Sequence, residues 1–204
     1  MTKPKRPSSY SDYSLEDLQT ICGIVNRKEA LNLSGEMIEP SVWLKQSLEY
    51  GKILPLNTEK AKSEWLIAPL LTELANRNRH KFNLFSGNTF DVDVTKSLKG
   101  RCDFLLTKNL SLNISAPVIA IFEAKDDNLD HWYGQCGAEM VGARLFNQMK
   151  NEPIEIIHGA VTNGESWQFL RLTDSTLLID TETYGLANLA LLLGTLQKVI
   201  DFYY

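Results

Sequence analysis

The chain has 204 residues, 44% of them hydrophobic, with a formal charge of −4 and an isoelectric point near 5.4. That length and apolar content suffice for one domain with a substantial core, and no apolar run reaches the roughly 18 residues of a membrane helix, so no membrane span is suggested and no membrane partner is expected. The acidic balance disfavours a non-specific nucleic-acid coat, whose affinity rests on Lys and Arg neutralising phosphate. Basic residues gather only locally, in Arg77, Arg79, His80 and Lys81 and in Lys96, Lys99 and Arg101, where they read as phosphate contacts or as solvated helix ends and turns.

Residues 1–13 are polar and basic without an apolar centre, unlike a secretory leader, and are expected to form a disordered arm. Ser14 with Asp17 three residues on has capping-box form, and Leu15, Leu18, Ile21, Ile24 and Val25 recur at helical spacing, which predicts a helix over residues 15–28. Residues 31–39 contain Gly35 and end at Pro40, a connector, and residues 41–50 predict a second helix stopped by Gly51. Residues 14–57 therefore read as a helical extension, facing substrate or a second copy of the chain, ahead of a main domain over 58–204.

Residues 58–78 carry Trp65, Ile67, Leu70, Leu71 and Leu74 on one helical face, with Pro69 expected to kink or break it. Two strands follow at 82–85 and 89–94, separated by Ser86-Gly87-Asn88, which has hairpin chemistry. Residues 103–107 and 117–124 are short Phe-, Leu-, Ile- and Val-rich runs, predicted to be buried strands. A helix over 131–150 carries Gln135 and Glu139 four apart, hence on one face, together with Gly134, Gly137 and Gly142, whose small size suits close packing against the sheet or another chain. Asp126, Asp127 and Asp130 fall in the loop before it, one of them as a helix cap. Strands are predicted at 154–161, 166–172 and 176–179, with a turn at Thr162-Asn163-Gly164-Glu165, and residues 186–202 form a closing apolar helix.

The chemistry concentrates at Gly100-Arg101-Cys102-Asp103, which opens one buried strand, and at Phe122-Glu123-Ala124-Lys125, which closes the next. Side chains alternate along a strand, so Glu123 and Lys125 share a side about 7 Å apart, and Asp103 joins them if the strands pair. Two carboxylates brought together repel unless a cation compensates. A divalent ion held by one or two carboxylates, with water and phosphate completing its shell, describes a Mg²⁺ site, and a neighbouring lysine can orient the attacking water, accept its proton or stabilise charge on a phosphate. Asp91 and Asp93 alternate with Phe90, Val92 and Val94 and are rival ligands or solvated strand residues. Cys22, Cys102 and Cys136 are odd in number and lack metal-ligand spacing, which indicates reduced thiols and a cytoplasmic protein. With only three histidines, a zinc site lacks support.

The Asp103 … Glu123-Ala124-Lys125 pattern, preceded by Gly100 and followed by a long helix, resembles the PD-(D/E)XK nuclease superfamily over residues 58–163. Glu64, in the helix before the core, and Gln135, early in the helix after the lysine, match further family positions; Glu139 stands where one branch has tyrosine. The segment Gly159-Ala160-Val161-Thr162-Asn163-Gly164 with Trp167 is similar to one in the N-terminal nuclease domains of type I restriction subunits. The resemblance implies a restriction-endonuclease-like α/β fold with a mixed central sheet flanked by helices and an N-terminal helical extension. It also implies Mg²⁺, replaceable by Mn²⁺, on Asp103 and Glu123, with Lys125, Glu64 and Gln135 serving hydrolysis of DNA phosphodiesters. Gln135 then touches water or phosphate, or else is an exposed polar residue. Two other readings stand beside this one: a catalytically silent module of the same fold that binds nucleic acid, a protein or a second copy, and a surface ion pair between Glu123 and Lys125 with no site at all.

Overall fold

The computed structural model describes residues 6–125 and 128–204 of the chain, so Asp126 and Asp127 of the expected loop lie outside the described residues, as do residues 1–5 of the expected arm. Residues 6–13 are packed rather than disordered: Tyr10 and Tyr13 are buried, and the Tyr10 N–H donates to the Lys99 carbonyl at 2.9 Å. The capping box at Ser14 forms in both directions, the Ser14 hydroxyl accepting from the Asp17 N–H and the Asp17 carboxylate from the Ser14 N–H. It opens α1 (Leu15–Cys22), which ends well short of residue 28 because Gly23 turns left-handed at φ +70° and closes the last turn. The residues beyond it leave the helix and form β1 (Val25–Lys28).

Ser41 caps α2 (Val42–Lys52), its hydroxyl accepting from the Leu44 N–H at 3.1 Å. Gly51 does not stop this helix; it lets α2 approach the next one, since a Cβ there would lie 2.6 Å from the Trp65 carbonyl oxygen. The long predicted helix is built in three parts: α3 (Glu59–Lys62), a π-helical stretch (Ser63–Ile67) and α4 (Ala68–Arg77). Pro69 is the physical cause. Having no N–H, it cannot donate to the residue 65 carbonyl, and the Ala68 N–H reaches back five residues to the Ser63 carbonyl, which widens the turn.

β2 (Asn83–Thr89) runs straight through Ser86-Gly87-Asn88, so the hairpin expected there is absent. Gly87, at φ +66°, interrupts the pairing without reversing the chain, because residues on both sides of it remain paired to the same strand. The reversal comes at residues 90–100, closed by a bridge between Asp93 and Leu98. Then follow β3 (Arg101–Thr107), β4 (Val118–Ala124), α5 (Tyr133–Met149), β5 (Ile156–Thr162), β6 (Ser166–Thr173), β7 (Thr176–Gly185) and α6 (Leu189–Asp201).

The protein is thus mixed α/β, with a seven-stranded mixed sheet flanked by helices. Its order is β1-β7-β6-β5-β4-β3-β2. The strands β2, β3 and β4 are antiparallel, β4 and β5 parallel, β5, β6 and β7 antiparallel, and β1 parallel to β7. One face is covered by α2, α4 and α6, the other by α1 and α5, which is why all seven residues of β4 are buried. Residues 14–57 are built into this body rather than appended: β1 extends the sheet, and Leu44 and Leu48 of α2 are buried in its core. Among the described residues no helix is long and apolar enough to cross a membrane.

Candidate active site

β3 and β4 pair with Phe104 opposite Phe122, and one step further along the same register sets Asp103 opposite Glu123. Residues opposite each other in an antiparallel pair share a face, with Cβ atoms about 4.5–5.5 Å apart. Asp103 Oδ2 accepts from the Ala124 N–H at 2.8 Å, which fastens the two strand ends together. The Lys125 N–H donates to the Thr162 carbonyl at 2.7 Å and carries the pairing of β4 with β5 one residue on, so the strand alternation expected for Glu123 and Lys125 persists. Lys125 Nζ lies 2.8 Å from Glu123 Oε1, 3.7 Å from Glu59 Oε2 and 4.4 Å from the centre of the Trp132 ring.

Helix α5 supplies the other side. Gly134 and Gly137 let it sit against Tyr13, Ser14 and Leu18 of the same chain, so the close packing expected of these glycines is intramolecular. Gln135 Nε2 donates to Glu123 Oε1 and, at 3.1 Å, to Glu139 Oε1. Gln135 is therefore neither exposed nor facing the open cleft; it is buried against the acid it was expected to assist. Glu123 Oε1 takes two donors, while Glu123 Oε2, Gln135 Oε1 and Glu139 Oε2 find no N–H or hydroxyl donor among the described residues, and the Glu123 and Glu139 carboxyls lie within hydrogen-bonding reach of each other.

A cleft of about 490 Å³ lies next to this cluster, with Glu59, Lys60, Glu64, Arg101, Asp103 and Ala124 on its walls. Glu123, Lys125 and Gln135 lie behind that wall, each less than a tenth exposed. Asp103 links the two, because it faces the cleft and grips the backbone between Glu123 and Lys125. Glu64 does line the cleft, but its cation is Lys60 at 3.7 Å. The helix residue that reaches Lys125 is Glu59. Asp91 and Asp93 are taken up by the turn after β2: Asp91 Oδ1 accepts from the Gly100 N–H at 2.9 Å, and Asp93 caps the short turn Val94–Lys96. Asp130 accepts from the Tyr133 hydroxyl at 2.6 Å, and Asn128 caps the turn leading into α5.

Burial is the main force on the cluster's protonation. It drives the Glu123 carboxyl well above its ordinary range, helped by the negative charges of Glu139 and Asp103 and opposed by Lys125. Burial also pushes Glu139 up to about 8. For Lys125 burial favours the neutral amine, but the carboxylates of Glu123, Glu59 and Asp103 outweigh it and raise the amine above its usual value. Lys125 is thus held as an ammonium at neutral pH.

Sequence reasoning missed Glu59, Trp132 and the buried pairing of Glu139 with Gln135. The signal for Glu139 was present: it sits in a stretch of Gly, Cys, Ala, Met and Val that is buried throughout, where a carboxylate needs a partner. Glu59 was hidden by the irregular helix: Pro69 signals a break, but no residue pattern gives the width of the turn over Ser63–Ile67 or the acid it aims at Lys125. Among the described residues no group of three His, Cys, Asp or Glu side chains has metal-binding geometry. Asp103 on the cleft wall and the buried Glu123 behind it are nonetheless carboxylates of the kind a hard cation takes, and Glu123 Oε2 has no N–H or hydroxyl donor. No protein-family model matches the chain, and neither does any curated protein.

Proposed function

We propose that this protein is a Mg²⁺-dependent nuclease of restriction-endonuclease-like fold that hydrolyses DNA phosphodiesters. The observation that carries the reading is the meeting of Asp103, Glu123 and Lys125 at the ends of adjacent strands beside a cleft. Asp103 and Glu123 Oε2 would hold the ion, with the Ala124 carbonyl as a third oxygen and Mn²⁺ as a substitute. When bound, the ion supplies positive charge at the scissile phosphate and makes a water more acidic.

The chain's own groups do the rest. The Lys125 ammonium, steadied by Glu123, Glu59 and the Trp132 face, orients the attacking water and offsets charge gathering on the phosphate oxygens. Water attacks phosphorus and the bond to the leaving sugar oxygen breaks; the attacking water gives a proton to solvent, since Lys125 already carries its own, and the leaving oxygen takes a proton from solvent, so that a phosphate monoester and a hydroxyl result. Arg101 and Lys60 on the cleft wall contact neighbouring phosphates. Glu64 on the cleft wall would meet the water shell of a bound ion, and Gln135 holds Glu123.

Cleavage of DNA in Mg²⁺ is expected to fall about 100-fold or more in Asp103→Ala and Lys125→Ala, with melting temperatures showing both variants folded. Equal cleavage by the parent and either variant would refute these roles. A second reading, a silent binding module that takes nucleic acid, a protein or a second copy of the chain, draws on the exposed Val42, Trp43, Tyr50 and Ile53 along α2. It prevails if Mg²⁺ and Mn²⁺ give neither cleavage nor thermal stabilisation of the folded protein.

A further inference from the structure

We infer that Glu139 is a positioning residue that acts through Gln135 to fix the Glu123 carboxylate with one oxygen engaged and the other left for a divalent cation. This rests on the metal-dependent reading above. The argument begins with the amide of Gln135, whose two ends are nearly equal in size and opposite in character: the nitrogen donates twice, and the oxygen only accepts. A glutamine beside Glu123 alone could turn either end toward it, and the oxygen end would repel. Glu139 removes that freedom. Its Oε1 accepts from Gln135 Nε2 at 3.1 Å, and the same nitrogen donates to Glu123 Oε1, so both amide hydrogens are used and the nitrogen must face the two acids.

The consequence appears on Glu123. Its Oε1 accepts from Gln135 and from Lys125, whereas Oε2 has no N–H or hydroxyl donor among the described residues and only the Glu139 carboxyl beside the group. A carboxylate pinned in this way cannot rotate to offer its other oxygen, and it presents one defined lone-pair direction to a cation. Glu139 has no measurable exposure and Gln135 is 4% exposed. Neither is on the cleft wall, so neither contacts substrate. A fully buried carboxyl is a costly way to fill space between apolar neighbours, and orienting a ligand through its hydrogen-bond partner is a role that justifies that cost.

The test is titration of the full chain with Mn²⁺ alone, by calorimetry and without DNA. Glu139→Leu keeps the volume and removes the acceptor; it is expected to weaken Mn²⁺ binding about 10- to 100-fold. Glu139→Gln keeps both the volume and an oxygen for Gln135 and is expected to stay within about threefold of the parent; the gap between the Gln and Leu variants, both of which fill the site, is what a space-filling role would not produce. Gln135→Met cuts the same link at its middle and should match Glu139→Leu, so it decides the matter if the leucine variant melts below the titration temperature. Equal affinity in the parent, Glu139→Leu and Gln135→Met overturns the inference, as does equal loss in the Gln and Leu variants. A parent that binds no Mn²⁺, or whose binding ignores Asp103→Ala, sinks the metal-dependent reading as well; binding that needs Asp103 and ignores Glu139 sinks this inference alone.

Discussion

Helix α5 carries a buried amide near each end, and the two meet β4 in different ways. Near the C-terminal end Asn147 has no measurable exposure; its Oδ1 accepts from the Val118 N–H and its Nδ2 donates to the Val118 carbonyl, both at 2.7 Å. Near the N-terminal end Gln135 holds Glu123 and Glu139, yet three oxygens of that cluster lack donors. The first cluster is closed, with each polar atom matched, and it brings the start of β4 to the helix. The second is held together, but its remaining oxygens are buried without a matching N–H or hydroxyl donor. Buried polar groups in native proteins are normally satisfied, so the contrast sets a structural clamp against the cluster to which the proposed function assigns a cation.

Substitution can break that contrast or sharpen it. The largest expected effect on stability is Asn147→Leu, which strands the Val118 N–H and carbonyl in an apolar setting and should cost about 2–4 kcal/mol in urea denaturation. Glu139→Leu, measured without metal, should cost under about 1 kcal/mol or stabilise, because removing a poorly matched buried carboxyl relieves its desolvation. A large loss at Glu139 with a small one at Asn147 would reverse the assignment of the two ends.

A third buried cluster adds a pH handle. The Tyr203 hydroxyl lies 2.7 Å from His158 Nδ1 and donates to the Ile119 carbonyl, also at 2.7 Å, joining α6's end to β4 and β5. Burial, with the Arg171 charge adding to it, pushes His158 down to about 3 from an ordinary value near 6.5. The folded state therefore binds this proton less readily than the unfolded one. Its contribution is complete above about pH 6.5 and is lost as pH falls toward 3, amounting to about 2 kcal/mol by pH 5. Melting temperatures between pH 7.5 and 4.5 should fall more steeply in the parent than in His158→Asn, and parallel curves would contradict the cause. The smallest effect concerns Trp132. Trp132→Leu removes the ring face beneath the Lys125 ammonium, worth about 1 kcal/mol, and should slow Mg²⁺-dependent cleavage about three- to tenfold; an unchanged rate would free Trp132 from that role.

Most of the architecture was legible from residue patterns. The apolar runs around Phe104 and Phe122 and the helical spacing of Leu70, Leu71 and Leu74 reflect burial, which acts on side chains that the sequence displays. Where expectation and structure part, backbone geometry decides. Gly23 ended α1 against the helical spacing of Ile24 and Val25, and Gly87 interrupted a strand where its chemistry suggested a reversal. At the site, the alternation of Glu123 and Lys125 could be read directly, since period two is a property of the strand. Which acid on the preceding helix reaches Lys125 could not, because Glu59 and Glu64 look alike and only the winding of the chain between them distinguishes their directions.

That winding has a design consequence. The stretch Ser63–Ile67 inserts extra length into one turn, and in an α-helix each residue turns the chain by about 100°. Deleting a single residue there would leave α4 seated on the sheet through Leu70, Leu71 and Leu74 while swinging Glu59 and Lys60 round the axis and off the cleft. The acidic rim and the hydrophobic seat are two phases of one rod, coupled through a proline-driven offset, so re-aiming the rim in engineered variants means shortening the stretch at its exposed Glu64 or Trp65 while keeping the buried Leu66 and Ile67.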